Sequence, residues 1–174
     1  DTVIVTAGSW TGHLLEPLGF HLPITPVRGQ MLALKNQNLH HVLHSNHCYL
    51  VPRHEGRLLV GSTVEYEGYN KVNTAGGISA LLTSALELVP ALRHCEIVET
   101  WAGLRPDTPD HLPIIGHSGI ENLVLATGHF RNGILLAPIT AQAVTELIVR
   151  NHTPKEILPF SVQRFATPRY TKPV

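Results

Sequence analysis

The residues that decide the fold are Asn-Leu-Val-Leu-Ala-Thr-Gly-His-Phe-Arg-Asn-Gly-Ile-Leu-Leu-Ala-Pro, at positions 122–138. The apolar run at 122–127 predicts a strand. The glycines that bound 128–133 predict a turn, and the apolar spacing that follows predicts a helix over 135–150 with Pro138 in its first turn. The stretch therefore predicts one strand–turn–helix unit of an α/β layer.

The first residues of the chain repeat this plan. A continuous apolar run over 3–7 predicts a strand of the kind that is buried on both faces. Gly8 predicts the turn that follows it, and a short apolar helix is predicted over 12–17. Because the sequence opens directly on such a strand, we expect the chain to be part of a longer protein.

The middle of the chain changes to short, partly alternating segments bounded by turn-forming residues. Two of these segments, within 49–60, predict a hairpin that turns through Arg-His-Glu-Gly at 53–56. The segments together predict an antiparallel sheet with a helix packed on it, followed by an extended, proline-rich tail from Asn151. The predicted strands are 28–34, 48–52, 57–63 and 96–101, and the predicted helix is 75–88. The predicted fold class is thus α/β plus α+β.

Composition limits the classes of function. The chain has 174 residues, of which 43% are hydrophobic and 15% charged, and its formal net charge is zero. Without a basic block there is no electrostatic case for nucleic acid or an anionic membrane, and no apolar run approaches the roughly 20 residues that span a bilayer. The distant cysteines, Cys48 and Cys95, are expected to be thiols in a reducing cytoplasm.

One arginine stands in the Gly/Pro-punctuated stretch Glu-Thr-Trp-Ala-Gly-Leu-Arg-Pro-Asp-Thr-Pro-Asp at 99–110. This residue, Arg105, is predicted to lie in a loop. A planar guanidinium can donate two parallel hydrogen bonds to a carboxylate, which makes Arg105 a candidate anion ligand. The alternative is a structural ion pair with Asp107 or Asp110.

A second arginine, Arg131, lies in the turn ahead of the predicted 135–150 helix. The first N–H groups of a helix lack internal acceptors and carry the positive end of its dipole, so this place suits an anion. The alternative is a plain glycine-rich connection. The spacing of Gly128 and Gly133 is not that of a P-loop, because Ile134-Leu135 follows where Lys-Ser/Thr is required.

Several histidines invite a metal interpretation. On a helix, His40, His44 and His47 would share one face. The surrounding sequence predicts a loop leading into a strand, and no Cys, Asp or Glu completes a tetrahedral set. We therefore expect no metal site.

Several motifs, in matching order, resemble those of the glycine oxidases, a thiamine-pathway family of the D-amino-acid oxidase superfamily. The similarity extends over nearly the whole chain except its last residues. The motifs are Pro-Val-Arg-Gly-Gln-Met at 26–31, His-Cys-Tyr-Leu-Val-Pro-Arg at 47–53, Val-Gly-Ser-Thr at 60–63, Trp-Ala-Gly-Leu-Arg-Pro at 101–106 and Thr-Gly-His-Phe-Arg-Asn-Gly at 127–133.

The resemblance implies a division into domains. Residues 1–18 and 102–152 correspond to the C-terminal part of an FAD-binding Rossmann-like domain, and 19–101 to an antiparallel-sheet substrate domain with packed helices. Residues 153–174 form a C-terminal tail. The family carries a G-x-G-x-x-G dinucleotide motif near its N-terminus and this sequence has none, so we expect the chain to be the C-terminal portion of such a protein.

The resemblance also implies roles for individual residues. Arg105 and Tyr49 would bind the substrate carboxylate, His47 would line the pocket, and Arg131 would lie near substrate and flavin. No side chain is implied as a catalytic base. His47 and Tyr49, two apart in a predicted strand, are expected to face the same side, although a strand tyrosine is more often simply part of a core. The implied cofactor contacts are Gly8, Gly128, His129, Arg131, Asn132, Gly133, Ile134 and Leu135.

The implied activity is that of an FAD-dependent amino-acid oxidase in the cytoplasm. Glycine or a similar small amino acid would be oxidised to an imine and then a 2-oxo acid, dioxygen would become hydrogen peroxide, and the imine would feed thiazole synthesis. Related sarcosine oxidases attach flavin through a cysteine at the position of Gly103, so non-covalent FAD is expected. By analogy with the family, the protein would form a homo-oligomer.

Two alternatives stay open. The chain alone could be a substrate-recognition or assembly module without catalysis, because it lacks the dinucleotide motif. The longer protein could instead be a D-amino-acid or sarcosine dehydrogenase that passes electrons to an acceptor other than oxygen.

Overall fold

A computed structural model describes residues 1–165 of the chain. They divide into two compact units: unit 1 contains Asp1–Thr25 and the described residues from Arg105 onward, and unit 2 contains Pro26–Leu104. The predicted mixture of α/β layers and antiparallel sheet is confirmed. The elements in chain order are β1 (Val3–Val5), α1 (Thr11–Leu15), β2 (Thr25–Lys35), β3 (Leu43–His44), β4 (Tyr49–Pro52), β5 (Arg57–Gly61), α2 (Ala75–Leu88), β6 (Ile97–Asp107), β7 (Ile114–His117), β8 (Leu123–Thr127) and α3 (Gly133–Val149).

Unit 1 is built on a three-stranded sheet in the order β1-β8-β7. The central strand β8 runs parallel to β1 and antiparallel to β7. On one face Val124 packs with Ala143 and Leu147 of α3. On the other, Leu125 packs with Leu15 of α1. Because β8 is covered on both faces, its sequence is apolar without alternation.

Unit 2 is built on a five-stranded sheet in the order β3-β4-β5-β2-β6. Its core combines alternate residues of three strands, Leu32, Leu50 and Val60, with Leu81 and Ala85 of α2. All five side chains are essentially inaccessible to solvent. The alternation along each strand follows because α2 covers one face of the sheet.

Two predicted elements of unit 2 are confirmed. The hairpin joins β4 to β5 in antiparallel register, with Leu50 opposite Val60. The helix predicted over 75–88 is α2, and it begins where the side chain of Thr74 accepts a hydrogen bond from the Gly77 amide. A threonine in this position satisfies one of the free amides of the first helical turn.

A buried polar network joins the start of β2 to the segment before α2. Arg28 is 4% exposed and pairs with Glu65 through its Nε and Nη2 atoms. The side-chain amide of the fully buried Gln30 donates to Glu65 and to Thr74, and its Oε1 accepts a hydrogen bond from the Thr74 amide at 2.8 Å. Burial raises the pKa of Glu65, but hydrogen bonds from Thr63, Arg28 and Gln30 and the charge of Arg28 outweigh it, so the pKa lies below the usual 4.5.

The prediction that Arg105 lies in a loop is wrong. Strand β6 was expected to end at Trp101, but it continues to Asp107 and includes Arg105. Strand β6 is at the edge of its sheet, so it has a neighbouring strand on one side only. Pro106, which has no backbone N–H to donate, is tolerated in such a strand.

The predicted start of the last helix is also corrected. Helix α3 begins at Gly133, so Pro138 lies inside the helix and not in its first turn. Proline has no N–H, so Pro138 leaves the carbonyl of Ile134 without its usual helical donor.

The extended tail predicted from Asn151 is wrong over its described part. Short 3-10 helices occupy Lys155–Phe160 and Val162–Phe165, and Ile157 is buried in the core beneath α3. The prolines end helices without forbidding such short turns. The part of the predicted tail at 166–174 lies outside the described residues. Within residues 1–165, no helix is both long and apolar enough to cross a bilayer.

We predict that Glu65→Gln lowers the free energy of unfolding by about 1–3 kcal/mol at neutral pH, because the buried Arg28 charge loses its ionised partner. The pKa of Glu65 is lowered in the folded state, so its contribution is present above pH 4.5 and is lost as pH falls through the lowered value. Urea unfolding at neutral and at acid pH measures both effects.

The matched control is Glu96→Gln, since Glu96 and its partner Lys35 are both 68% exposed. This change should alter stability by less than about 0.5 kcal/mol. Equal losses for the two variants would show that the network around Arg28 contributes no more than a surface pair.

Candidate functional site

The segments that carry Arg105 and Arg131 are tied together inside unit 1. The amide of Phe130 donates to the carbonyl of Pro106 at 2.9 Å. The Phe130 ring stacks on His111, with centroids 5.2 Å apart and 24° between the planes. Phe130 has a positive φ of 47°, which is costly for an aromatic residue and is held here by these two contacts.

Gly128 allows the two segments to approach. Its φ is +74°, and a Cβ there would lie 2.9 Å from Thr108 Cγ2 and 3.4 Å from the Ile114 nitrogen. A side chain is therefore excluded by conformation and by space. Packing within unit 1 therefore requires a glycine at this position, and the predicted contact of Gly128 with the cofactor stays a prediction.

The stretch between β6 and β7 is ordered by two carboxylates. Asp107 is buried and accepts the Thr108 amide at 2.9 Å, and its Oδ1 lies 2.7 Å from His111 Nδ1. Asp110 pairs with Arg164, whose Nε donates to Oδ2 at 2.7 Å and whose Nη2 donates to Oδ1 at 3.2 Å. The hydrogen bond from Arg164 lowers the pKa of Asp110 to about 2. Asp110, one of the two partners considered for Arg105, is thus engaged by Arg164.

The N-terminus of α3 presents amides to solvent. The side chain of Asn132 makes no cap, and the first amide bonded within the helix is that of Leu136. The amides of the three residues before it, from Gly133, have no helical acceptor. Ile134 and Leu135 are 96% and 78% exposed. Free N–H groups beside exposed apolar side chains fit a flat, partly apolar ligand with an acceptor edge.

Arg131 lies directly before this helix and is exposed. In the part of the chain that the structure describes, no carboxylate pairs with its guanidinium. The N-terminus of α3 therefore combines free amides with a cation, as an anion site requires.

His129 lies against helix α3, and its predicted contact with the cofactor stays a prediction. Its Nε2 lies 3.0 Å from Thr140 Oγ1 on α3, and burial lowers the pKa of the ring. It lines a largely apolar cavity of about 420 Å³ together with Ile4 and Ala126. The neutral imidazole holds the turn against α3.

Gly8 is fixed by two residues that the sequence reasoning missed. Its carbonyl accepts from Thr11 Oγ1 at 2.8 Å and from Thr127 Oγ1 at 3.1 Å, and the two hydroxyls lie 3.0 Å apart. This buried contact locks the turn after β1 to the end of β8. The available signal was that each threonine directly precedes a glycine at the end of a predicted strand or turn.

Tyr49 and His47 are described within unit 2. Tyr49 opens β4, and its ring lies across Gly61, where a Cβ would come 2.6 Å from Cζ and Oη. The hydroxyl lies 3.8 Å from Met31 Sδ. His47 is exposed in the bend before β4, so the prediction that it shares a strand face with Tyr49 is wrong. The bend forms because Ser45 Oγ accepts the amides of His47 and Cys48.

Within residues 1–165, no three His, Cys, Asp or Glu side chains converge as a metal site would require. Unit 1 contains two arginine segments tied to each other and the exposed N-terminus of α3. Such groups bind and orient anions.

An α/β layer with an exposed, cation-flanked helix N-terminus is typical of proteins that bind anions or nucleotides. Within that class the chain belongs to the FAD dependent oxidoreductase family, which matches residues 1–147.

Individual relatives agree with this assignment. Glycine oxidase of Pseudomonas putida is 44% identical over 151 residues, which cover 85% of this chain and 41% of that protein. The bifunctional protein ThiO/ThiG of Synechocystis sp. is 44% identical over 174 residues, 96% of this chain and 26% of that protein. The crystal structure of glycine oxidase from Geobacillus kaustophilus superposes with a TM-score of 0.87 at 36% identity, covering 94% of this chain and 45% of that one.

The chain spans less than half the length of each of these relatives. The coverage values give the fraction of each relative that the chain matches and not which part of it. The placement of the chain as the C-terminal portion therefore stays a prediction. The roles assigned to Arg105, Tyr49, His47 and Arg131 likewise stay predictions.

We predict that Gly128→Ala lowers the free energy of unfolding by about 2–4 kcal/mol, because the left-handed conformation and the contact with Thr108 both oppose a Cβ. Thermal or urea unfolding measures the loss. The control is Gly12→Ala in α1, where a Cβ would meet only the Leu22 carbonyl at 3.7 Å. That change should be neutral or stabilising by up to about 1 kcal/mol. A Gly128→Ala protein as stable as the control would contradict the packing described here.

Proposed function

We propose that this chain is part of an FAD-dependent amino-acid oxidase that acts on glycine or a similar small amino acid. The observation that carries the proposal is the tie between Pro106 and Phe130, which holds the Arg105 and Arg131 segments at one place in unit 1. Family membership and the relatives named glycine oxidase support the reaction class. Those names also favour an oxidase over a dehydrogenase.

The two units take different parts in this proposal. Unit 1 is the C-terminal part of a Rossmann-like FAD-binding domain, as its parallel β1–β8 pair and α3 suggest. Unit 2 is the substrate domain, with an antiparallel sheet that leaves the face bearing Tyr49 uncovered by α2.

Arg105 of unit 1 binds the substrate carboxylate through its planar fork. Tyr49 of unit 2 is proposed as a substrate ligand through its hydroxyl, as the resemblance implies. The Tyr49 hydroxyl donates to Met31 Sδ, and a thioether sulfur is a weak acceptor. The hydroxyl proton therefore remains available to a stronger acceptor. His47 lines the approach. Arg131 adds a second positive charge. No side chain acts as a base, since an amine that arrives neutral needs only to be oriented.

The residues present fit FAD at the N-terminus of α3. The free amides of Gly133, Ile134 and Leu135 would stabilise negative charge on a flavin, and the exposed side chains of Ile134 and Leu135 would offer it apolar contact. Asn132 and Arg131 lie directly before these amides. When bound, FAD supplies a two-electron oxidant for the α-carbon of the amine. Gly103 has no thiol, so the attachment is non-covalent.

Gly8, Gly128 and His129 serve this site indirectly. They fix the turns after β1 and β8 through contacts with Thr127, Thr108 and Thr140, respectively. We therefore propose that Gly8, Gly128 and His129 hold in place the turns that form the cofactor site.

Dioxygen is the proposed electron acceptor, with hydrogen peroxide as product. The imine of glyoxylate is the proposed contribution to thiazole synthesis, as the resemblance implies. The free thiols Cys48 and Cys95 support a reducing cytoplasm. A homo-oligomer is proposed by analogy with the family.

We predict that Arg105→Ala in the flavin-loaded protein raises KM for glycine about 100-fold, because a carboxylate then loses its bidentate partner, a loss of about 3 kcal/mol. KM for glycine ethyl ester, which has no carboxylate, should change less than about threefold. Steady-state peroxide release measures both substrates.

Arg105→Lys is the matched variant, since it keeps the charge and removes the planar fork. Its KM for glycine should lie between those of the native protein and Arg105→Ala. Equal rises for glycine and its ester in Arg105→Ala would contradict the role of Arg105 as carboxylate ligand.

A further inference from the structure

The segment 155–165 follows α3 and lies outside the residues that the family matches. It packs against the apolar clusters on both faces of the three-stranded sheet of unit 1. Ile157 and Phe160 join the core beneath α3. Val162 and Phe165 join the core on the other face of the sheet. The position of this segment is therefore fixed by apolar burial, and not by its polar contacts alone.

Arg164 projects from this segment with every N–H of its guanidinium engaged. Nε and Nη2 bind the Asp110 carboxylate, and Nη2 also donates to the Leu112 carbonyl at 2.8 Å. Nη1 donates to the carbonyls of Phe160 at 2.9 Å and Ser161 at 3.1 Å. An arginine has five N–H donors, and these five contacts use them all. The Arg164 side chain is 17% exposed and that of Asp110 is 35% exposed, so solvent screens the pair in part.

The contacts of Arg164 continue toward the tied arginine segments. Thr108 Oγ1 lies 3.0 Å from Asp110 Oδ1 and 2.7 Å from the Leu112 carbonyl. The methyl of Thr108 lies where it would clash with any Cβ at Gly128. A chain of direct contacts thus runs from Arg164 through Asp110 and Thr108 to the turn that carries Arg131.

The stretch between β6 and β7 belongs to no strand, so sheet hydrogen bonds do not fix its position. Residues 108–113 belong to neither strand, and the anchoring contacts that the structure shows within them centre on Asp107, Asp110 and Arg164. Arg105 lies three residues before this stretch. A shift of about 1 Å in a substrate-positioning group can reduce activity by orders of magnitude.

We propose that Arg164 is a positioning residue for the carboxylate site: from the 155–165 segment it fixes residues 106–112, and through them Arg105 and the turn at Arg131. The proposal rests on the proposed function for the identity of the ligand, a small carboxylate. It assigns to a segment beyond the family match a part in substrate binding.

The test is a double-mutant cycle on the flavin-loaded protein. Arg164→Ala should raise KM for glycine about 10-fold and leave KM for glycine ethyl ester within twofold of native, because only the carboxylate meets Arg105. In an Arg105→Ala background, adding Arg164→Ala should raise KM for glycine by less than about twofold, because only the part that acts through Arg131 remains. A merely structural role would affect both substrates and would add to the effect of Arg105→Ala.

A second readout does not depend on activity. In Arg164→Ala, hydrogen exchange of the Phe130 amide should be at least 10-fold faster, while that of Val124 in β8 stays unchanged. Asp110→Asn should reproduce both effects, and Arg164→Lys should show smaller ones. If Arg164→Ala fails to fold, these two conservative variants supply the cycle. The matched control is Arg150→Ala, whose side chain is 73% exposed and pairs loosely with Glu146.

The outcomes separate this proposal from the one on which it rests. If Arg105→Ala raises KM for glycine selectively but Arg164→Ala does not, Arg164 has no positioning role and the proposed function stands. If Arg105→Ala has no selective effect, the proposed role of Arg105 as carboxylate ligand fails. Faster exchange at Phe130 then still supports the tie that Arg164 makes, and unchanged exchange overturns that tie as well.

Discussion

The contact between Pro106 and Phe130 is the constraint on which the arrangement of unit 1 depends. These residues are 24 positions apart, and each adjoins an arginine. Their hydrogen bond, with Gly128 against Thr108, brings the end of β6 and the turn before α3 to one place. Phe130 remains in a left-handed conformation that only such surroundings would maintain. A small-anion site needs cations held in this way, since a mobile arginine would lose entropy on binding.

The two units illustrate different ways of fixing polar groups. In unit 2, Arg28 is buried with Glu65 and Gln30 at the start of a long strand, and their interaction secures the segment before α2. In unit 1, the carboxylates of Asp107 and Asp110 order a stretch without regular structure. In both units, a buried charge is accompanied by several hydrogen bonds, as its desolvation requires.

Sequence pattern predicted those parts of the fold that depend on local periodicity. The continuous apolar run of β8, the hairpin of β4 and β5 and the amphipathic helix α2 were all evident from spacing. Arg105 was placed in a loop because Gly103 and Pro106 usually break strands, whereas an edge position allows β6 to continue. The roles of Thr127, Arg28 and Arg164 could not be predicted, because each depends on a partner more than 30 residues away.

The visible absorption spectrum of the longer protein of which this chain is proposed to be part, recorded as purified and after anaerobic addition of glycine, tests the central claim most directly. A bound flavin whose absorbance is bleached by glycine, and restored by air, is the result we predict. A bound flavin that glycine leaves oxidised would contradict the assignment of substrate. A protein that retains no flavin at all would contradict the assignment of unit 1 as part of a flavin-binding domain.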